Sequence, residues 1–277
     1  TYFIKLGEYL KSLGNEVEYF GMADERNCVG NRVEAYTENI DFHKKSLKHI
    51  TYPFKIIYSV NARKQIRKVL SDFKPDVVHL NNFNYQLTPS IIYEIKKHNI
   101  PIVYTAHDVQ LVCPNHKLKN DYTDGLCRKC DGGKYFECVK NNCVHSSKIR
   151  SILGAVEAWY YKLRHTYKMI DLTVCPSEFM EKEISRNDDI NGRTVTMYNF
   201  IDEIKPLGAE CENYVLYFGR YSEEKGISNL VKAAKKLSNI PFVFAGKGEL
   251  ENEVNSADNI KNVGFKTGDE LRNIIEK

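Results

Sequence analysis

Arg220 and Lys225 are the two residues whose placement points most directly to chemistry. They lie in the run Tyr214 to Leu237, YVLYFGRYSEEKGISNLVKAAKKL. Two cations on one short turn can neutralise an anion, and a diphosphate fits that charge. Val215 to Phe218 precede them as a continuous apolar run, the pattern of a strand buried on both faces. Ile227, Leu230, Val231 and Ala234 follow at helical spacing. The cations would then sit at the carboxyl end of a strand and ahead of a helix N-terminus, where open α/β sheets bind anions. The plainer alternative is a solvated pair partnered by Glu223 and Glu224.

Three further groups have chemical potential. Ala245-Gly246-Lys247-Gly248-Glu249 reads as a second strand-to-helix turn, whose glycines either let backbone N–H groups approach a ligand or only close a tight turn. His107, next to Asp108, follows a predicted strand and could donate to a sugar hydroxyl or a phosphate, or be an ordinary loop histidine. Cys127, Cys130, Cys138 and Cys143 fall within a loop-rich stretch at spacings that suit a structural zinc site. Two disulfides and four free thiols are the alternatives, and four thiolates would leave no open position for catalysis. Cys113, His116 and His145 are candidate substitutes for one ligand. Cys28, Cys175 and Cys211 read as ordinary buried thiols.

Residues 43–74 hold nine Lys or Arg against one acid, Asp72, interleaved with Tyr52, Phe54, Ile56, Ile57 and Tyr58. Such a surface could rest on anionic lipid or be a solvated helix face. The net charge of +4 is modest and the basic bias is confined to this stretch, so nucleic acid is excluded as a partner. No run of ~20 apolar residues is present to span a bilayer. The absence of a secretion signal points to the cytoplasm, at most to the inner face of a membrane.

The elements that must position these groups alternate. Strands are predicted at 16–20, 77–80, 102–105, 172–175 and 194–198, with helices at 53–73, 89–98, 152–169 and 177–185 between them. A polar stretch at 203–213, with Pro206 and Gly208, reads as a boundary. Beyond it come strands at 214–218, 242–245 and 260–263. This is an α/β chain with parallel sheets in two Rossmann-like domains, residues 1–204 and 205–277, the first carrying a Cys-rich insertion at 109–148 and the second incomplete. The chain opens on a helix without a preceding strand and ends in mid-helix, so it reads as a fragment.

In order, these motifs resemble glycosyltransferase family 4, the retaining GT-B group. Gly219-Arg220 and Lys225-Gly226 look like its G-R-x-x-x-x-K-G turn. Asp76 to His79 look like D-V-V-H, Thr105 to Asp108 like T-x-H-D, Pro176 to Phe179 like P-S-x-F, and Asn199 to Asp202 like N-G-I-D with Phe200 in place of Gly. The resemblance implies a glycosyltransferase that uses a nucleotide-diphosphate sugar and acts on a glycan or lipid-linked acceptor, as in bacterial polysaccharide or cell-envelope synthesis. By position it gives Arg220 and Lys225 the donor diphosphate and His107 the donor sugar or phosphate. Gly219, Gly246 and Gly248 fall near the nucleotide, and Ser177 and Asn199 near the cleft between the domains. No catalytic metal is implied, since the cations would stabilise the leaving group. The family's C-terminal E-x7-E motif does not occur in the chain, so the 277 residues alone are expected to be inactive. Another GT-B enzyme, such as a nucleotide-sugar epimerase, and a non-catalytic module stabilised by zinc are the alternatives.

Overall fold

A computed structural model describes residues 2–39, 52–120, 125–190, 192–201 and 211–277. Two compact units divide the chain after Phe200. The polar stretch at 202–210, Asp202 and the basic residues Lys44, Lys45 and Lys48 lie outside the described residues.

The first unit holds α1 (Tyr2–Ser12), α2 (Tyr52–Ile57), α3 (Val60–Phe73), β1 (Val78–Leu80), α4 (Ser90–Lys97), β2 (Ile102–Thr105), α5 (Phe136–Lys140), α6 (Lys148–Leu163), β3 (Leu172–Cys175), α7 (Glu178–Ile184) and β4 (Thr194–Thr196). Its four strands are all parallel and lie in the order β1-β2-β3-β4. Each connection carries a helix, as parallel strands require. The alternating apolar positions of β2 give the sheet its buried spine, with Ile102 and Tyr104 in the core. Ala62, Ile66 and Leu70 of α3 and Ile91, Ile92 and Ile95 of α4 pack there from their helical stripes.

Two sequence expectations change here. The helix predicted at 53–73 is two helices, because Ser59 adopts an extended conformation and its hydroxyl accepts from Ala62 N–H as an N-cap. The strand predicted at 16–20 does not form. Among the described residues that segment has no ladder; Tyr19 N–H donates to Gly30 carbonyl, and a single parallel bridge joins Met22 and Thr37. An extended segment becomes a strand only where a neighbour takes its backbone bonds.

The basic face predicted at 43–74 is only partly solvated. Arg63 and Arg67 of α3 both reach Glu94 of α4, at 2.7 Å and 2.6 Å, and Glu94 is 2% exposed. These arginines neutralise a buried carboxylate, the condition under which burial of a charge is tolerated.

The second unit holds β5 (Val215–Arg220), α8 (Ile227–Lys236), β6 (Phe242–Lys247), α9 (Glu251–Val254), β7 (Ile260–Asn262) and α10 (Gly268–Ile275). β5, β6 and β7 form a parallel sheet in that order. Ile227, Val231 and Ala234 of α8 meet Phe242 and Phe244 of β6 in its core.

The Cys-rich insertion folds around its own small core. Cys113, Cys127, Cys130, Cys138 and Cys143 line one cavity of about 10 Å³, at the lower edge of what a single water needs. All five are free thiols, and of the three other cysteines expected to be buried only Cys175 is, Cys28 and Cys211 being exposed. The expected zinc site is not supported: no three His, Cys, Asp or Glu side chains among the described residues are placed to hold a metal. Cys113 Sγ instead donates to Asn115 Oδ1 at 2.9 Å, and Asn120 Nδ2 donates to Cys127 Sγ at 3.2 Å. Burial pushes the Cys130 thiol up to about 12, with the neighbouring thiols adding to it. Neutral thiols of this sort pack as small hydrophobes. The insertion is tied to the sheet unit by Arg128, which pairs with the fully buried Glu183 of α7.

Candidate active site

In the second unit the site grows out of the end of β5. Gly219 has φ 147° and pairs with Gly246 of β6, and Arg220 pairs with Lys247. Tyr221 then turns inward and is fully buried, and Glu223–Lys225 form a 3₁₀ turn. Gly226 ends that turn at φ 74°, in the left-handed region that a side chain would resist, and serves as the N-cap of α8 without a side-chain cap. The first N–H groups of α8 are therefore unused by any capping side chain, and the helix dipole adds positive potential there.

Arg220 is exposed and lies 3.4 Å from Glu224. Lys225 is exposed, and among the described residues it forms no ion pair. Glu223 instead accepts from Ser228 Oγ at 2.7 Å. Both cations are thus on the surface beside a helix N-terminus, held by nothing stronger than one exposed pair.

The glycines of the second turn have a packing reason. A Cβ on Gly246 would lie 1.9 Å from the Gly219 carbonyl oxygen, and one on Gly248 would lie 2.3 Å from that of Tyr221. The turn after β6 is pressed against the backbone that carries Arg220, which fixes one relative to the other. Lys247 extends over the ring of Phe265, 5.3 Å from its centre, and Phe265 is 63% exposed.

In the first unit His107 follows β2. Its Nε2 lies 3.1 Å from Asn81 Oδ1, and its ring meets Tyr2 edge-on at 5.1 Å. Tyr2 packs in turn against Phe200. Burial lowers the His107 pKa, against a smaller opposing pull from Asp108, so the neutral imidazole is favoured. His79 of β1 binds Thr105 Oγ1 at 2.8 Å and is lowered by burial and by His107.

Asp108 faces a different group, Asn84 and His116. Burial alone would raise its carboxyl, but hydrogen bonds from His116, the Gln110 N–H and Asn84 outweigh burial and leave it lowered. Tyr85 stacks on His116 with ring centres 6.2 Å apart. Glu157 of α6 interacts with His116, and burial pushes its carboxyl up to about 7. Sequence reading missed Asn81, Asn84 and Glu157. The polar run Asn81-Asn82 directly after a buried strand was the available signal for the first.

The remaining predicted residues are placed as follows. Ser177 is the N-cap of α7, its hydroxyl accepting from Met180 N–H at 3.2 Å. That role alone accounts for a Ser at this position. Asn199 is exposed in the segment after β4.

Glycosyltransferase Family 4 matches residues 1–204, and Glycosyl transferases group 1 matches residues 200–276. The chain is 25% identical over 194 residues to an uncharacterized 42.6 kDa protein in the cps region of Klebsiella pneumoniae, covering 69% of this chain and 45% of that one. It is 21% identical over 140 residues to an uncharacterized glycosyltransferase of Methanocaldococcus jannaschii, covering 48% and 39%. The chain therefore spans less than half the length of these relatives. The fold is similar to that of LpCGTa in its complex with UDP, at 14% identity and a TM-score of 0.51, covering 97% of this chain and 68% of that one. MurG of Acinetobacter baumannii aligns over 98% of this chain and 63% of its own, at 9% identity and a TM-score of 0.45. With its two parallel-sheet units and a family match over most of its length, the chain belongs to glycosyltransferase family 4.

Proposed function

We propose that this chain acts in a retaining glycosyltransferase that moves a sugar from a nucleotide-diphosphate sugar to a glycan or lipid-linked acceptor. The observation that carries the reading is the turn after β5, where exposed Arg220 and Lys225 flank the uncapped N-terminus of α8. Diphosphate charge grows as the glycosidic bond breaks, and preorganised cations and N–H donors stabilise that growth. Two cations can do this without a catalytic metal.

His107 is assigned to the donor sugar or its phosphate as a hydrogen-bond donor. Its lowered pKa suits a neutral imidazole that donates rather than a cation. No carboxylate is assigned as nucleophile. A front-face displacement, in which the leaving phosphate takes the acceptor proton, fits that assignment. Gly219, Gly246 and Gly248 shape the nucleotide side of the site, and Ser177 and Asn199 are assigned to the donor only by their place in the family motifs.

The Klebsiella relative lies in a cps region, which supports a role in polysaccharide or cell-envelope synthesis. A cytoplasmic reaction is proposed with it. No described helix is long and apolar enough to cross a membrane. Titration with UDP and with UDP-sugars tests the donor reading, because UDP is the nucleotide held by LpCGTa. Saturable binding that Arg220→Ala weakens supports it; binding that the substitution leaves unchanged overturns it.

A further inference from the structure

Helix α6 is apolar on the side that faces away from the core. Ser151, Ala155 and Tyr161 are its buried residues. Ile149, Ile152, Val156, Trp159 and Leu163 are exposed, at 73%, 42%, 42%, 37% and 79%. Their spacing alternates between three and four residues, so they form one narrow stripe along the whole helix. An isolated exposed Leu is unremarkable, but a continuous apolar stripe on one helix marks an interaction surface.

The charges beside the stripe are one-sided. By helical position Lys148 flanks the stripe on one edge with Lys162 beyond it, and the C-cap residue Arg164 flanks the other. The helix has a single acid, Glu157, at a position off the stripe. Among the described residues Lys148, Arg150 and Lys162 form no ion pair. The Trp159 ring is oriented by Nε1 donating to Gly133 carbonyl at 2.9 Å, which leaves its apolar body at the surface. The neighbouring α2, joined to α6 by Tyr161 bonding the Ile57 carbonyl and by Tyr58 against Tyr160, adds Phe54 at 75% exposure.

We propose that the outer face of α6 is a docking surface for an anionic lipid bilayer. An apolar stripe rimmed by Lys and Arg, with an indole among its residues, is the pattern of a helix that lies in the membrane interface. The charge pattern disfavours a second copy as the occupant. In a two-fold pairing of α6, each basic edge would face the same edge of its partner, and like charges would meet. Two arginines of the basic stretch at 43–74 are committed to Glu94, and the Arg164 guanidinium lies over the rings of Tyr93 and Tyr160, whereas Lys148, Arg150 and Lys162 form no ion pair among the described residues.

This surface is independent of the donor-site reading, and its test needs no turnover. The intact protein is sedimented with vesicles of phosphatidylcholine alone and of phosphatidylcholine mixed with phosphatidylglycerol. Binding is expected to the mixed vesicles and to weaken with added salt. Ile152→Glu/Val156→Glu should cut partitioning by about tenfold or more, since two apolar anchors are lost and two charges added. Lys148→Glu/Lys162→Glu should weaken binding to the mixed vesicles alone. All four positions are outside the core, and thermal unfolding checks that the variants remain folded. No binding to mixed vesicles, or equal binding by wild type and the Ile152→Glu/Val156→Glu variant, overturns the proposal. So does a wild-type dimer that this variant abolishes, which would assign the stripe to a second copy.

Discussion

Asp108 directs its carboxylate to His116, Oδ2 to Nδ1 at 3.3 Å, although His107 is its neighbour in the chain. His107 is instead bonded to Asn81. Successive residues leaving a strand point to opposite sides, so a His-Asp dipeptide there is not a dyad. The two side chains serve two separate groups: His107 with Asn81 and Tyr2, and Asp108 with Asn84, His116 and Tyr85.

The separation has a consequence for pH. His107 and His79 both have pKa values below the ordinary 6.5, through burial. A depressed histidine favours the folded state fully above its unfolded pKa, and that contribution is lost as pH falls from about 6.5 toward the folded values. As pH falls below about 6.5, wild type should therefore lose stability relative to His107→Gln, measured by chemical denaturation of both. An identical slope in His107→Gln would show that the imidazole titrates as it does in the unfolded chain.

The alternation of apolar runs and helical stripes was enough to read two parallel-sheet domains, although β5 is not buried on both faces as its apolar run suggested: Val215 and Phe218 are exposed. What escaped reading were features set by contact across sequence. Nothing local distinguishes Arg63 and Arg67 from solvated cations; only the buried Glu94 on another helix does. The cysteine spacing resembled a metal site, yet the insertion packs the same thiols with Cys113 around a cavity too small to accommodate more than one water. The strand and helix on either side of Arg220 and Lys225 were legible because they follow one another directly in the chain. The packing demand on Gly246 was not, because the atom that imposes it belongs to Gly219, 27 residues earlier.

On the proposed donor reading, Arg220→Ala should cost about 2–4 kcal/mol of transition-state stabilisation, the usual loss on removing one charge-stabilising donor. Stability should hardly change, because the Arg220–Glu224 pair is exposed and such pairs contribute little. Glu224→Gln is the control and should leave turnover near wild type. Steady-state kinetics with denaturation curves checks both; equal losses of turnover in the two variants would assign the effect to the ion pair rather than to the donor.

Gly246→Ala tests whether the second turn is built for packing. Its new methyl would meet the Gly219 carbonyl at 1.9 Å, a backbone atom that cannot swing aside. Destabilisation of about 1–3 kcal/mol is expected, as for other overpacked sites. Nucleotide affinity should fall with it, because Gly219 carries Arg220. Lys247→Ala, one residue on, should leave the fold intact. If Gly246→Ala folds as stably as wild type and only nucleotide affinity drops, the glycine serves ligand approach instead.

Glu157 gives the opposite pH signature to the histidines. Burial raises its carboxyl from the ordinary 4.5 to about 7, with the His116 charge pulling it down. A raised carboxyl binds its proton more tightly in the folded state, so its contribution is full below about pH 4.5 and is lost as pH rises through about 7. Glu157→Gln keeps the shape and cannot ionise. Relative to wild type it should be nearly neutral in acid and more stable at pH 8, by about 1–3 kcal/mol. The same substitution asks what the group is for. A carboxyl that titrates near neutrality beside His116 suits proton handling. If Glu157→Gln gains stability at pH 8 while turnover and its pH profile stay unchanged, the raised carboxyl is a by-product of packing α6 onto the sheet. If the alkaline limb of the pH–rate profile moves or disappears, Glu157 holds a proton that the reaction uses.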